Sequence, residues 1–168
     1  MDVLELLRPI RSVPGKKVTA GLPDEVIKRF SETDDSLVSA LVSASKKFQE
    51  LLEEFPDVMG LDEVDQVEAV QEGLVNFYAE DTVCPYVSLV ADGPWVITTK
   101  GAVLHDSGGY GMLGFGHIPA PVMEAMSRPQ VMSNVMTANF SQLRLVEALR
   151  QEVGRNRTDG CPFARFIA

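Results

Sequence analysis

The residues able to do chemistry crowd into one short stretch. From 105 to 117 the chain reads HDSGGYGMLGFGH, which sets His105, Ser107, Tyr110 and His117 among Gly108, Gly109, Gly111, Gly114 and Gly116. From Gly109 the letters G-Y-G-M-L-G match the G-x-G-x-x-G dinucleotide fingerprint, but both supports of that fingerprint are missing. A helix must open within the glycines to meet the pyrophosphate, and here Pro119 and Pro121 delay it. An acid must follow about 20 residues on to hold the ribose, and between Glu124 and Glu147 there is none. Phosphate cradling is set aside. The histidines admit acid–base work, or a nucleophilic pair with Ser107. No acid is placed by spacing to orient either ring, and two histidines without Cys or Glu spacing make no metal site, so both read as structural.

Glycine admits positive φ and lets backbone approach closely. A glycine-packed strand-to-helix connection with one phenol in its middle is suited to form a pocket wall, with Tyr110 facing the ligand. The alternative, in which Tyr110 fills core beneath the loop, stays open at this level.

The elements that must position this stretch can be read from periodicity. Pro23 with Asp24 and Glu25 opens a helix over LPDEVIKRF. Leu37, Leu41, Ala44, Phe48, Leu51, Leu52 and Phe55 recur at helical spacing, capped by Asp34 or Asp35 and stopped by Pro56. Leu61, Val64, Val67, Val70, Leu74 and Phe77 repeat the period, so residues 33–78 read as a helical hairpin. From 81 the character changes to β-branched runs broken by Asp92-Gly93-Pro94 and Lys100-Gly101, and WVIT is expected to pair with AVLHD. A short helix follows from about Pro121. SQLRLVEALRQEV (141–153) is a helix capped by Ser141 and ended by Gly154, with Leu145, Val146, Leu149 and Val153 facing inward. CPFARFIA reads as an apolar strand.

The chain has 168 residues and a net charge of −9. Residues 1–80 hold 17 acids against 8 bases and residues 81–168 hold 7 of each, so the acidity belongs to the first half. That excludes a nucleic-acid partner. No apolar run approaches the roughly 20 residues of a membrane span, and the start has no secretory pattern. Cys84 and Cys161 lack metal or redox spacing, which places the chain in a reducing cytoplasm.

The order AVLHD, S-G-G-Y-G, L-G-F-G-H, PVMEAM, S-N-V-M-T-A-N-F, QLRLVEALRQEV and a final apolar run resembles the N-terminal part of a class-III pyridoxal-phosphate-dependent aminotransferase. The resemblance covers about Val83 to Ala168; the family's G-H-x-H-P is replaced here by GHIPAP. It implies an α/β fold: an acidic helical extension (1–80), a short antiparallel hairpin, then the incomplete start of a fold-type-I large domain (81–168). It implies transfer of an amino group from an amine or amino acid to a 2-oxo acid, with pyridoxal 5'-phosphate as cofactor, in a homodimer. Tyr110, held by Gly109 and Gly111, would face the substrate. That chemistry needs a lysine in Schiff-base linkage and an acid on the pyridine nitrogen, and the resemblance assigns both, with the phosphate-binding turn, to sequence after Ala168. Of the lysines present, Lys16, Lys17, Lys28, Lys46 and Lys47 sit in the extension and Lys100 in a hairpin turn. The catalytic set is therefore expected to be absent from this chain. The competing expectation is a non-catalytic acidic helical module that binds a basic partner, or a truncated gene product.

Overall fold

The computed structural model describes residues 2–75, 77, 79, 82–107, 114–129 and 137–167. They belong to two compact units, Met1–Glu124 and Ala125–Ala168. Compactness thus divides the chain after Glu124, whereas composition divides it near residue 80. The architecture is mixed: helices plus one small antiparallel sheet.

The first unit opens with α1 (Leu4–Ser12), α2 (Asp24–Ser31) and α3 (Asp35–Glu54). Its sheet has the order β1-β2-β3, from β1 (Ser88–Asp92), β2 (Trp95–Thr98) and β3 (Val103–His105). WVIT pairs with the next strand as expected, with Trp95 opposite His105 and Ile97 opposite Val103. Asp92 opposite Trp95 closes the β1–β2 turn. Every residue of β2 is buried, as a central strand requires.

α3 packs across β1 and β2 and also meets α1 and α2. Its Ala40 and Ala44 are fully buried and too small to hold the helix off the sheet, while Leu37, Leu41 and Phe48 supply apolar volume. Trp95, Ile97 and Val103 come from the sheet, and Leu7, Ile10 and Ile27 from α1 and α2. Each such side chain contributes roughly 1.5–3 kcal/mol by leaving water. The α1 helix, absent from the periodicity reading, carries Pro9 inside it. Proline removes a helical hydrogen bond, and the burial of Leu7 and Ile10 on either side offsets that loss.

Asp34 is the cap of α3: its Oδ1 accepts from the Ser36 backbone N–H at 3.0 Å. Pro56 ends α3, as expected, and also starts a further short helix, α4 (Pro56–Gly60), from its first position.

The expected second arm of a helical hairpin is corrected. α5 is short (Glu63–Gln71), and its contacts with other helices are chiefly with α4. Its buried residues are Glu63 and Gln66, not the apolar stripe; Val64, Val70 and Leu74 are exposed. The physical reason is hydrogen bonding: Glu63 Oε2 accepts from Val18 N (2.7 Å) and Thr19 N (2.8 Å), which turns the polar side of α5 inward. α6 (Ala120–Ser127) then begins close to Pro121, as expected.

In the second unit α7 spans Phe140–Gly154. Its cap is Asn139, not Ser141. The Asn139 side chain accepts from the N–H of Ser141 and Gln142, and Gln142 reaches back to Asn139 N at 2.9 Å, a capping box. The inward face expected for α7 is also corrected: Leu145 and Val153 are exposed, and only Val146 and Leu149 are half-covered. CPFARFIA forms no strand over its described residues 161–167; Phe163 and Phe166 meet edge-on at 6.4 Å instead. Pro162 cannot donate to a ladder, and the described residues of this unit offer no strand to pair with. Among the described residues no helix is long and apolar enough to cross a membrane.

Candidate functional site

The glycine stretch leaves β3 and returns to α6, and both of its ends are pinned to one turn. Gly93, in the β1–β2 turn, exchanges two backbone hydrogen bonds with His117: Gly93 N–H to His117 O at 3.0 Å, and His117 N–H to Gly93 O at 2.7 Å. Asp106 N–H donates to Pro94 O at 2.6 Å. The Asp92-Gly93-Pro94 turn therefore gathers residues eleven apart, and their side chains meet, with His117 Nε2 3.2 Å from Asp106 Oδ2. Both side chains are half-buried. The expectation that no acid orients either histidine is thus corrected. The spacing 106–117 conveys nothing by itself; the contact exists because a turn 13 residues upstream of Asp106 holds both partners.

Two further features tighten this neck. Gly116 has φ +75°, and a Cβ there would lie 2.8 Å from Gly93 O, so the close approach excludes any side chain. Ile118, a β-branched residue, has φ +50°. A residue of that shape in the left-handed region stores roughly 1–2 kcal/mol of strain, and such strain clusters at ligand clamps and active sites. Tyr86 lies nearby: burial, then Cys84, then the charge of Asp106 push its phenol above the usual range.

His105 behaves differently from His117. Its ring stands edge-on to Trp95, centroids 5.0 Å apart at 85°, on the face of the sheet. The histidines thus divide into one that packs and one that is oriented by an acid. The three residues expected to face substrate, Gly109, Tyr110 and Gly111, lie outside the described residues. What is described is the base from which that segment departs and to which it returns.

The other concentration of polar groups surrounds Lys100, in the β2–β3 turn. Lys100 is 2% exposed, and its Nζ donates to Pro14 O (2.5 Å) and Met59 O (3.1 Å). Burial, then the nearby charge of Lys17, lowers its pKa, with Asp62 and Glu63 acting the other way. Gln66 Nε2 donates to Val58 O and Met59 O, and Thr99 Oγ1 donates to Gln66 Oε1 at 2.7 Å. These bonds join the 14–19 segment, α4, α5 and the sheet. Glu63 Oε1 and Thr19 Oγ1 are buried without a partner among the described residues. Among those residues no group of three His, Cys, Asp or Glu converges as metal ligands would.

No known protein-family profile, curated protein or solved structure matches this chain.

Proposed function

We propose that this chain is the N-terminal part of a class-III pyridoxal-phosphate-dependent aminotransferase, with the glycine stretch as a wall of its amino-donor pocket. The observation that supports this reading is the neck. A segment reading S-G-G-Y-G…G-H starts and ends on one turn, closed by an Asp–His contact and bordered by a strained Ile118. A pocket wall needs a side chain held at a repeatable position by rigid surroundings, and a pinned base provides those surroundings for Tyr110. The element order agrees as well: antiparallel strands, glycine stretch, α6, then α7. On this reading the fold-type-I large domain begins in these elements, the working form is a cytoplasmic homodimer, and the substrates are an amine or amino acid and a 2-oxo acid.

The described residues do not fit the cofactor. Among them only one lysine is buried, and the ammonium of Lys100 is held by two backbone carbonyls inside the Pro14–Met59–Gln66 network. No chemical step through pyridoxal phosphate falls to these residues. Their part is to shape the substrate side.

The test uses the native gene product that contains this chain, assayed for amino transfer to 2-oxo acids across a panel of amines and amino acids. Tyr110→Ala is expected to retain the bound-cofactor absorption while shifting donor preference by roughly 1–3 kcal/mol, tenfold to a few hundredfold in relative kcat/KM. Absence of transfer with every donor would remove the aminotransferase reading. An unchanged donor profile in Tyr110→Ala would remove the pocket wall.

A further inference from the structure

Leu51 of α3, Met59 of α4 and Val70 of α5, with Phe55 and Val87, line a cavity of about 460 Å³. Small-molecule sites are clefts of roughly 300–1,000 Å³ with apolar walls and a few placed polar groups. Here the polar groups are Gln66 and Thr99, both nearly fully buried. Among the described residues no Asp, Glu, Lys, Arg or His lines the cavity. Lys100, which shares the Met59 carbonyl with Gln66, is not part of the lining.

The hydrogen bonds of that polar pair decide what kind of molecule fits. Gln66 spends both amide hydrogens, on Val58 O at 3.0 Å and Met59 O at 3.1 Å. Thr99 spends its hydroxyl hydrogen on Gln66 Oε1 at 2.7 Å. Their backbone N–H groups are taken as well, by Asp62 O and Val87 O. Every donor of the pair is spent. What remains is acceptor capacity, a lone pair on Gln66 Oε1 and those of Thr99 Oγ1. The polar wall thus carries negative partial charge without formal charge, and its complement is a single donor on an uncharged apolar body. A carboxylate would meet acceptors and hydrocarbon with nothing to donate to it, and an ammonium would meet no counter-charge. We propose that this cavity binds a neutral apolar small molecule with one hydroxyl donor, a phenol or a bulky alcohol. Its hydroxyl donates to the Gln66–Thr99 pair and its body lies against Met59, Val70 and Val87. The assignment is independent of the aminotransferase reading.

The probe is para-cyclohexylphenol, titrated into the purified chain by calorimetry. Its methyl ether keeps the body and removes the donor, and para-cyclohexylbenzoate replaces the donor with an anion. Saturable binding of the phenol is expected, with the ether weaker by about tenfold and the benzoate by about tenfold or more. Ala69→Phe adds a ring to the lining from α5 and is expected to weaken the phenol by about tenfold or more. Ala69 is half-buried, and an unchanged melting curve confirms that the fold survives. Should α5 not tolerate the ring, Val87→Phe fills the same space from the segment before β1. Equal affinity for phenol and ether would mean that no acceptor is engaged, and the assignment falls. It falls also if the benzoate binds most tightly, if the phenol does not saturate, or if its binding survives a filled cavity. Sedimentation showing a dimer that Ala69→Phe disperses would assign the face to a second copy and overturn the proposal.

Discussion

Asp34 serves two elements with its two oxygens. Oδ1 accepts from the backbone N–H and hydroxyl of Ser36, which caps α3, while Oδ2 accepts from the Trp95 indole at 2.9 Å. Helix and sheet are thereby tied at one carboxylate. The Ser36 hydroxyl above all holds its pKa below the ordinary 3.8; burial opposes it, and the Trp95 indole and the backbone N–H groups of Ser36 and Leu37 add to the lowering. A carboxylate whose folded pKa is depressed adds stability above its unfolded value and loses it as pH falls through the folded one. Asp34→Ala removes the cap and leaves the indole without this acceptor, and is expected to cost about 2 kcal/mol near neutral pH. Asp34→Asn keeps one acceptor oxygen, enough for the Ser36 cap, but sets its NH2 against the Trp95 indole N–H, and is expected to cost about 1 kcal/mol. Urea unfolding at about pH 7 and about pH 3 checks both, since the Asp34-to-Asn difference should shrink on acidification. A difference that is the same at both pH values would contradict the linkage.

α3 and α5 carry similar apolar periodicity yet meet opposite fates. Leu41 is 0% exposed against the sheet, whereas Leu74, expected on the same kind of stripe, is 72% exposed. Leu41→Asp is therefore expected to cost roughly 3–5 kcal/mol by burying an unpaired charge, and Leu74→Asp less than about 0.5 kcal/mol. Equal losses of melting temperature would contradict this placement. The pair also shows what was legible. Periodicity found α3 and the turn chemistry found β2 and β3, because burial on the sheet and the Asp92-Gly93-Pro94 turn leave local marks. The inward turn of α5 left none, since the partners of Glu63 are backbone groups 44 and 45 residues earlier. The Asp106–His117 contact was hidden for the same reason. At CPFARFIA, apolar composition pointed to a strand, but Pro162 and the lack of a described partner strand in that unit decided otherwise.

At the scale of the first unit, Lys100 joins segments far apart in sequence: Pro14, the Met59 carbonyl of α4, and through it the Gln66–Thr99 bond. Gly15 beside it must be glycine, with φ +97° and a Cβ position only 2.1 Å from the Leu61 backbone carbonyl oxygen and 2.8 Å from Lys100 Nζ. Burial, then Lys17, lowers the lysine's pKa below 10.5. Between the lowered value and 10.5 the unfolded chain binds more protons than the folded one, so Lys100 makes stability rise with pH across that window. Below it the penalty for the buried charge is fully present. Lys100→Met keeps the stem and removes the titration. The melting-temperature difference between the unaltered chain and this variant is expected to grow in favour of the unaltered chain between neutrality and about pH 10. Lys17 titrates in both proteins and to first order drops out. A difference independent of pH would refute the buried-ammonium account.

The clasp of residues 106 and 117 onto the Gly93-Pro94 turn has a consequence for how such a chain can change over generations. Because both ends are fastened to the same turn, a change in the number of residues between Ser107 and Phe115 need displace neither end, while Gly116 stays fixed by its approach to Gly93 O. Lengthening a connection costs little, about 0.6 kcal/mol for each doubling. Over generations, insertions within the clasp would therefore be tolerated better than a side chain at Gly116, where the approach to Gly93 leaves no room.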